Sequence, residues 1–175
     1  MAERLKPLFS PEEIAKAVGR LASEISTDYR GKRPLLIGVL KGAFVFLADL
    51  IRHLTIPVEV DFVRLSSYGS GMVSSGRIRV TKELESEIEG RDVLIVEDIV
   101  DTGLSLRYLV DDLRSRRPAT LRICTLVDKK ARRQVEVEVD YVGFEIEEGF
   151  IVGYGIDYDE RYRELPAIYV VEKSP

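Results

Sequence analysis

The run Val93-Leu94-Ile95-Val96-Glu97-Asp98-Ile99-Val100-Asp101-Thr102-Gly103-Leu104-Ser105 sets carboxylates, hydroxyls and a glycine directly behind an apolar stretch. Those residue types suit a ligand that carries a phosphate and neighbouring hydroxyls. The free N–H groups and partial positive charge of a helix N-terminus attract a phosphate. Gly103 permits close backbone approach or a left-handed conformation, and Thr102 and Ser105 add hydroxyl donors. Glu97 and Asp98 stand about one sugar away and can accept from ribose hydroxyls. Asp101 does not fit beside a phosphate, because two unit charges at 4 Å repel by roughly 4 kcal/mol in a partly screened site. Its side chain should therefore point toward a proton donor elsewhere on the ligands, or it serves only as the helix cap. Neither the Walker pattern nor G-x-G-x-x-G is present, which removes the usual support for ATPase and dinucleotide readings.

Positioning such a loop requires a strand before it and a helix after it. Val93–Val96 reads as a buried strand, and Leu106, Leu109, Val110 and Leu113 form one apolar helical stripe. The same alternation recurs upstream. Ser10-Pro11-Glu12-Glu13 has the form of a capping box with proline at the first helical position, followed by the stripe Ile14, Val18, Leu21 and Ile25. Leu35–Leu40 reads as a strand and Ala43–Leu54 as a buried helix. Val58–Leu65, Ala119–Val127 and Phe150–Tyr154 also favour strand, while Glu83–Glu89 reads as a solvated acidic turn. The alternation predicts an α/β fold with a doubly wound sheet, in which ligands lie beyond the carboxyl ends of the strands. Lys41-Gly42-Ala43 is then a second loop at that edge, Lys129 ends a strand there, and the small, polar segment Ser66–Gly76 is a mobile connection between β segments.

Val93–Ser105 resembles the phosphoribosyl pyrophosphate signature of type I phosphoribosyltransferases, and the form Glu97-Asp98-Ile99-Val100-Asp101-Thr102-Gly103 resembles their hypoxanthine-guanine branch. Leu40-Lys41-Gly42, Ser67-Tyr68, Lys129, Asp140–Glu145, Phe150–Tyr154, Asp157 and Arg163 follow in the order that branch shows them, so the resemblance spans most of the chain from about Pro34 onward. It implies a mainly parallel twisted sheet flanked by helices, a small hood from the terminal segments and a flexible lid at about 66–77, in one domain over 1–175.

The resemblance also implies roles. Lys41 and Gly42 would bind pyrophosphate through backbone N–H groups, often beside a cis peptide at Leu40-Lys41. Ser67 and Tyr68 would reach the same group when the lid closes. Glu97 and Asp98 would orient the ribose directly or through Mg²⁺, and Asp157 would position a second Mg²⁺. The turn formed by Ile99, Asp101, Thr102, Gly103, Leu104 and Ser105 would hold the 5′-phosphate, with Asp101 accepting the purine N7 proton. Lys129 would donate to the exocyclic oxygen of a 6-oxopurine and reject adenine at a cost on the order of 2 to 4 kcal/mol. Phe150 would stack on the purine, the Ile151 backbone would read its edge, and Arg163 would grip pyrophosphate. Ser105 stands where relatives often carry threonine, and Leu104 where many carry a polar or basic residue. Both changes leave a hydroxyl or a backbone N–H in place.

Composition fits such an enzyme. With 175 residues and 45% hydrophobic content, the chain can bury a substantial core. Cys124, the only cysteine, lies in an apolar run and reads as a reduced core residue, which excludes disulfides and cysteine-based metal sites. His53, the only histidine, sits near a helix end among Leu50, Ile51 and Leu54, so a Ser-His-Asp reading has little support. No signal region or membrane-length apolar run is present, and the expectation is a cytoplasmic protein without membrane partners. A net charge of −4 disfavours a general nucleic-acid surface. The resemblance further implies a homodimer or homotetramer. A xanthine-preferring phosphoribosyltransferase, a pyrimidine-operon RNA-binding regulator on the same fold and a nonenzymatic nucleotide sensor stay open as competing readings.

Overall fold

The computed structural model describes residues 3–67 and 77–173. Residues 68–76 of the expected lid, Tyr68 among them, and the side chain of Ser67 lie outside the described residues.

The chain opens with β1 (Glu3–Phe9) and α1 (Pro11–Asp28). Ser10 caps α1 as its sequence demands: its hydroxyl accepts from Glu13 N at 3.1 Å, while the Glu13 carboxylate accepts from Ser10 N at 2.8 Å. There follow β2 (Leu35–Leu40), α2 (Phe44–His53), β3 (Glu59–Ser67), β4 (Ile78–Lys82), β5 (Asp92–Val100), α3 (Leu104–Ser115), β6 (Thr120–Lys129), β7 (Tyr141–Ile146), β8 (Ile151–Val152) and β9 (Ile168–Lys173). The main sheet has the order β4-β3-β2-β5-β6-β7, with only the β3–β4 pair antiparallel.

Alternating side chains divide the core between the two sheet faces. Leu36, Leu94 and Val96 face α1 and α2, packing with Leu21, Ile25, Phe46 and Leu50. Leu35, Ile37, Val93 and Ile95 face α3, meeting Leu106, Leu109, Val110 and Leu113. Each fully buried aliphatic side chain contributes about 1.5–3 kcal/mol. Gly38 lets α2 approach β2, since a Cβ there would lie 2.7 Å from Leu47 Cδ2. Cys124 is fully buried in β6, where burial pushes its thiol pKa far up.

β2 continues to β3 on one side of the sheet, whereas β5 continues to β6 on the other. The crevice between the ends of β2 and β5 is therefore the topological switch point, where open α/β sheets bind ligands. Pairing of β2 with β5 stops at Gly38 and Val96, while β5 goes on pairing with β6 to Val100. The ends of the two central strands thus part company, and Glu97 to Val100 border an open cleft.

The expected hood is a separate antiparallel sheet of order β1-β9-β8, built from both ends of the chain. Phe9 of β1 stacks on Phe144 of β7 at 3.9 Å between ring centroids. The strand expected over Phe150–Tyr154 shrinks to Ile151–Val152. Positive φ values at Gly153, Tyr154 and Gly155 turn the backbone out of extended geometry immediately afterwards.

Candidate active site

Four segments meet at the carboxyl edge of the sheet: the loop after β2, the strand end and loop after β5, the end of β6, and the hood segment 155–163.

The loop after β5 enters α3 through Gly103, whose φ of 84° lies in the left-handed region. A Cβ at Gly103 would stand 2.8 Å from the Val135 carbonyl, so glycine is needed both for the turn and for that close approach. Gly103 is also the N-cap, and no side chain caps the helix. Asp101 therefore does not cap α3, which removes its bland alternative. The first helical bond runs from Arg107 N to Gly103 O, leaving the N–H groups of the first turn to face the loop. Thr102 Oγ1 lies 3.4 Å from Leu104 N. Glu97, Ile99, Asp101, Thr102, Gly103 and Ser105 line a hollow of about 130 Å³, a polar recess at a helix N-terminus.

Glu97 and Asp98 lie within β5, not after it. Asp98 N donates to Glu97 Oε1 at 3.1 Å, and Ile99 N to Asp98 Oδ1 at 2.7 Å. Desolvation, and then the adjacent Asp98 charge, raise the Glu97 pKa well above the usual carboxylate range. Desolvation likewise raises Asp98, partly opposed by its hydrogen bonds and by the Arg163 charge. The pair thus presents hard oxygen donors whose charged forms gain from a cation or from hydroxyl donors.

Asp101 and Lys129 come together. Lys129 Nζ lies 3.7 Å from Asp101 Oδ2, and its side chain is only 7% exposed. Arg132 also approaches Oδ2, at 3.6 Å. Asp101 Oδ1 is buried without a hydrogen-bond partner among the described residues. A buried polar atom in that condition is costly unless a ligand completes it.

The loop after β2 begins with a cis Leu40–Lys41 peptide. Gly42 lies against the Asp98 carboxylate, since a Cβ there would fall 1.9 Å from Oδ2. Lys41 Nζ reaches over to Glu160 Oε2 at 2.8 Å. Arg163 donates to the Gly155 carbonyl at 2.7 Å, pairs with Asp157 at 3.2 Å and Glu160 at 3.1 Å, and keeps Nε buried without a hydrogen-bond partner among the described residues. Phe150 stands 47% exposed, in a T-shaped contact with Tyr158 at 5.1 Å between ring centroids, so core packing does not account for it. The neighbouring Ile151 is buried.

The three expected metal carboxylates do not converge. Glu97 and Asp98 stay paired, but Asp157 is turned to Arg163, and its Oδ2 accepts from Glu160 N at 2.9 Å. Among the described residues no group of three His, Cys, Asp or Glu side chains is placed to hold an ion. An ion at Glu97 and Asp98 would need ligand oxygens to complete its shell.

Sequence reasoning missed Arg133 and Glu160. Arg133 donates to the carbonyls of Asp101 at 3.0 Å and Lys129 at 3.2 Å and forms a close ion pair with Asp128. It therefore ties the β5 loop to the β6 end. In sequence it belongs to Lys129-Lys130-Ala131-Arg132-Arg133, which reads as a solvated basic run. Its carbonyl partners at Val100 and Asp101 carry no side-chain signal.

A switch-point cleft with a phosphate-sized recess at a helix N-terminus and a paired acid and lysine at its rim is the arrangement of a phosphoribosyl-transfer enzyme. Residues 6–159 match the phosphoribosyl transferase domain family, and the chain belongs to that family. Within it, the similarity runs to one branch. The chain is 50% identical over 169 residues to a hypoxanthine-guanine phosphoribosyltransferase of Bacillus subtilis, covering 97% of this chain and 94% of that protein. The protein of the same name from Aquifex aeolicus is 47% identical over 171 residues, covering 97% and 96%. A crystal structure of a hypoxanthine-guanine phosphoribosyltransferase from Bacillus anthracis superposes with a TM-score of 0.90 at 42% identity, covering 98% of this chain and 100% of that one.

Proposed function

We propose that this chain, acting as one domain, transfers the 5-phosphoribosyl group of phosphoribosyl pyrophosphate to N9 of hypoxanthine, and of guanine, giving IMP or GMP and pyrophosphate. The observation that carries this reading is the Asp101–Lys129 pair, with Asp101 Oδ1 buried and without a hydrogen-bond partner among the described residues. A 6-oxopurine offers a donor at N7 and an acceptor at O6 on one edge. The carboxylate and ammonium offer the complements side by side.

Asp101 takes the N7 proton, which raises the nucleophilicity of N9. Lys129 donates to O6, where adenine presents an amino donor instead. Phe150 stacks on the ring, and the Ile151 backbone reads its far edge. The Thr102–Ser105 turn binds the 5′-phosphate, supplying binding energy remote from the reacting carbon. Gly42, Lys41 and Arg163 take the pyrophosphate, joined by Ser67 and Tyr68. Glu97 and Asp98 receive the ribose hydroxyls and fit Mg²⁺ as paired hard donors, with Asp157 available through a water shell. When bound, Mg²⁺ offsets charge growing on the leaving group. Assembly into a homodimer or homotetramer is carried by the family resemblance. The buried single cysteine agrees with a cytoplasmic setting, and no helix among the described residues is long and apolar enough to cross a membrane.

The test is product formation from phosphoribosyl pyrophosphate and Mg²⁺ with hypoxanthine, guanine, xanthine, adenine or uracil. Hypoxanthine and guanine should be converted and adenine and uracil spared. In Lys129→Ala the hypoxanthine preference over adenine should shrink by about 30-fold or more, from the loss of roughly 2 kcal/mol of discrimination. Conversion of xanthine above the others would favour a xanthine enzyme. No turnover with any base would point to a regulator or sensor.

A further inference from the structure

Lys41 and Arg163, on two different segments of the cleft, are joined by one carboxylate. Glu160 Oε2 lies 2.8 Å from Lys41 Nζ, and Glu160 Oε1 lies 3.1 Å from an Arg163 guanidinium nitrogen. Each carboxylate oxygen serves one cation, which is how an oxygen-rich dianion would be shared between them. The bridge is the accessible part of the cluster: the Glu160 side chain is 63% exposed, against 18% for Arg163.

Local backbone geometry places Glu160 there against its own preference. Tyr158 and Arg161 exchange backbone hydrogen bonds at 3.1 and 3.0 Å around Asp159 and Glu160. Both central residues have positive φ, 52° and 59°. That is the requirement of a type I′ turn, whose second central position strongly favours glycine. A glutamate held in that position is conformationally disfavoured and owes nothing to turn chemistry. What it contributes is its carboxylate, anchored further by the Glu160 N bond to Asp157.

We propose that Glu160 is a built-in stand-in for pyrophosphate: it occupies the two cations in the ligand-free protein, must be displaced when the anion binds, and so sets how tightly pyrophosphate is held. The inference rests on the reading of Lys41 and Arg163 as the pyrophosphate grip, and adds the Lys41 ammonium to the backbone N–H assigned there. It adds a competing group within the chain, which keeps the cations ordered while limiting product retention. Release of a leaving group with several charges benefits from a local anion ready to replace it, because product dissociation often limits turnover.

Inorganic pyrophosphate is titrated calorimetrically into the full chain at fixed Mg²⁺ without purine, comparing wild type with Glu160→Gln, Glu164→Gln and Lys41→Met. Removing the competing charge in Glu160→Gln should lower the dissociation constant about 3- to 10-fold, the scale of two partly exposed ion pairs. Glu164→Gln removes an exposed charge of the same segment without the bridge and should change it by less than about 2-fold. Unchanged or weaker binding in Glu160→Gln overturns the proposal, weaker binding meaning that the glutamate merely organises the cations. An equal gain in Glu164→Gln overturns it too, in favour of a general charge effect. If Lys41→Met weakens binding while Glu160→Gln leaves it unaltered, Glu160 alone loses its role. If Lys41→Met binds pyrophosphate as wild type does, the ammonium takes no part in the grip and the proposal fails, while a backbone contact at Lys41 is untouched.

Discussion

Asp101 shares one carboxylate oxygen with two cations, Lys129 and Arg132, and leaves the other buried with no donor among the described residues. The shared oxygen fixes the carboxylate in direction, and the other oxygen is the one placed to take a proton. Asp101→Asn retains the shape and removes that capacity. Its turnover should fall about 10²- to 10⁴-fold, the usual yield of general base catalysis, while phosphoribosyl pyrophosphate affinity stays within about 2-fold. Single-turnover kinetics alongside direct titration separate the two quantities, and equal losses in both would assign Asp101 to binding instead.

The elements around the cleft are held by Arg133. Its guanidinium reaches the carbonyls of Val100, Asp101 and Lys129, with the Asp128 carboxylate as counter-ion, and both ionic side chains are nearly buried, at 14% and 8% exposure. Arg133→Met leaves Asp128 buried without its partner and should cost about 3–5 kcal/mol in urea denaturation. Replacing Asp128 by leucine in the same chain should recover most of that loss, because the unpaired charge is then gone. A loss below about 1 kcal/mol for the single variant would show that water replaces the guanidinium.

This element scale is where the sequence was least legible. The strand, phosphate turn and apolar stripe of α3 follow from local residue types and spacing, and the capping box of α1 was readable for the same reason. The lacing by Arg133 depends on backbone carbonyls, which every residue has. The bridge by Glu160 depends on a turn whose positive φ values its residue types do not announce. Asp157 is a further case: the resemblance assigns it to a second Mg²⁺, and its partners in the fold, Arg163 and Glu160 N, are not announced by its residue type.

For the molecule as a whole, the two faces of the main sheet carry separate apolar cores, and polar ties bind the periphery to them. Asp61, buried at 6% exposure, is one of these ties. Its carboxylate accepts from Phe62 N at 2.7 Å and from Glu85 N and Ser86 N at 3.0 and 2.8 Å, fastening the acidic turn to β3. Burial alone would raise its pKa, but the N–H donors outweigh burial and hold it below the ordinary value. A group depressed on folding stabilises fully above its unfolded pKa, near 3.9, and loses that contribution as pH falls through the lower folded value. Asp61→Asn should therefore lower stability by about 1–3 kcal/mol at pH 7, and the gap from wild type should narrow below about pH 3.5. Chemical denaturation at several pH values measures this, and a gap independent of pH would show that the carboxylate's charge is irrelevant.

The hood pairs Glu3 with Lys173 and continues, across a register shift between Pro7 and Phe9, to Phe9 and Ile168, with β8 on the other side of the same closing strand. A nascent polypeptide emerging from the ribosome possesses both α/β layers long before it possesses this lid of three strands, because the central member of the trio is synthesised last. Stalled or clipped products ending ahead of residue 168 would keep a foldable body yet leave two strands without their common neighbour. The hood, and with it the setting of Phe150 and Ile151 beside β9, would then form only in chains extended through β9.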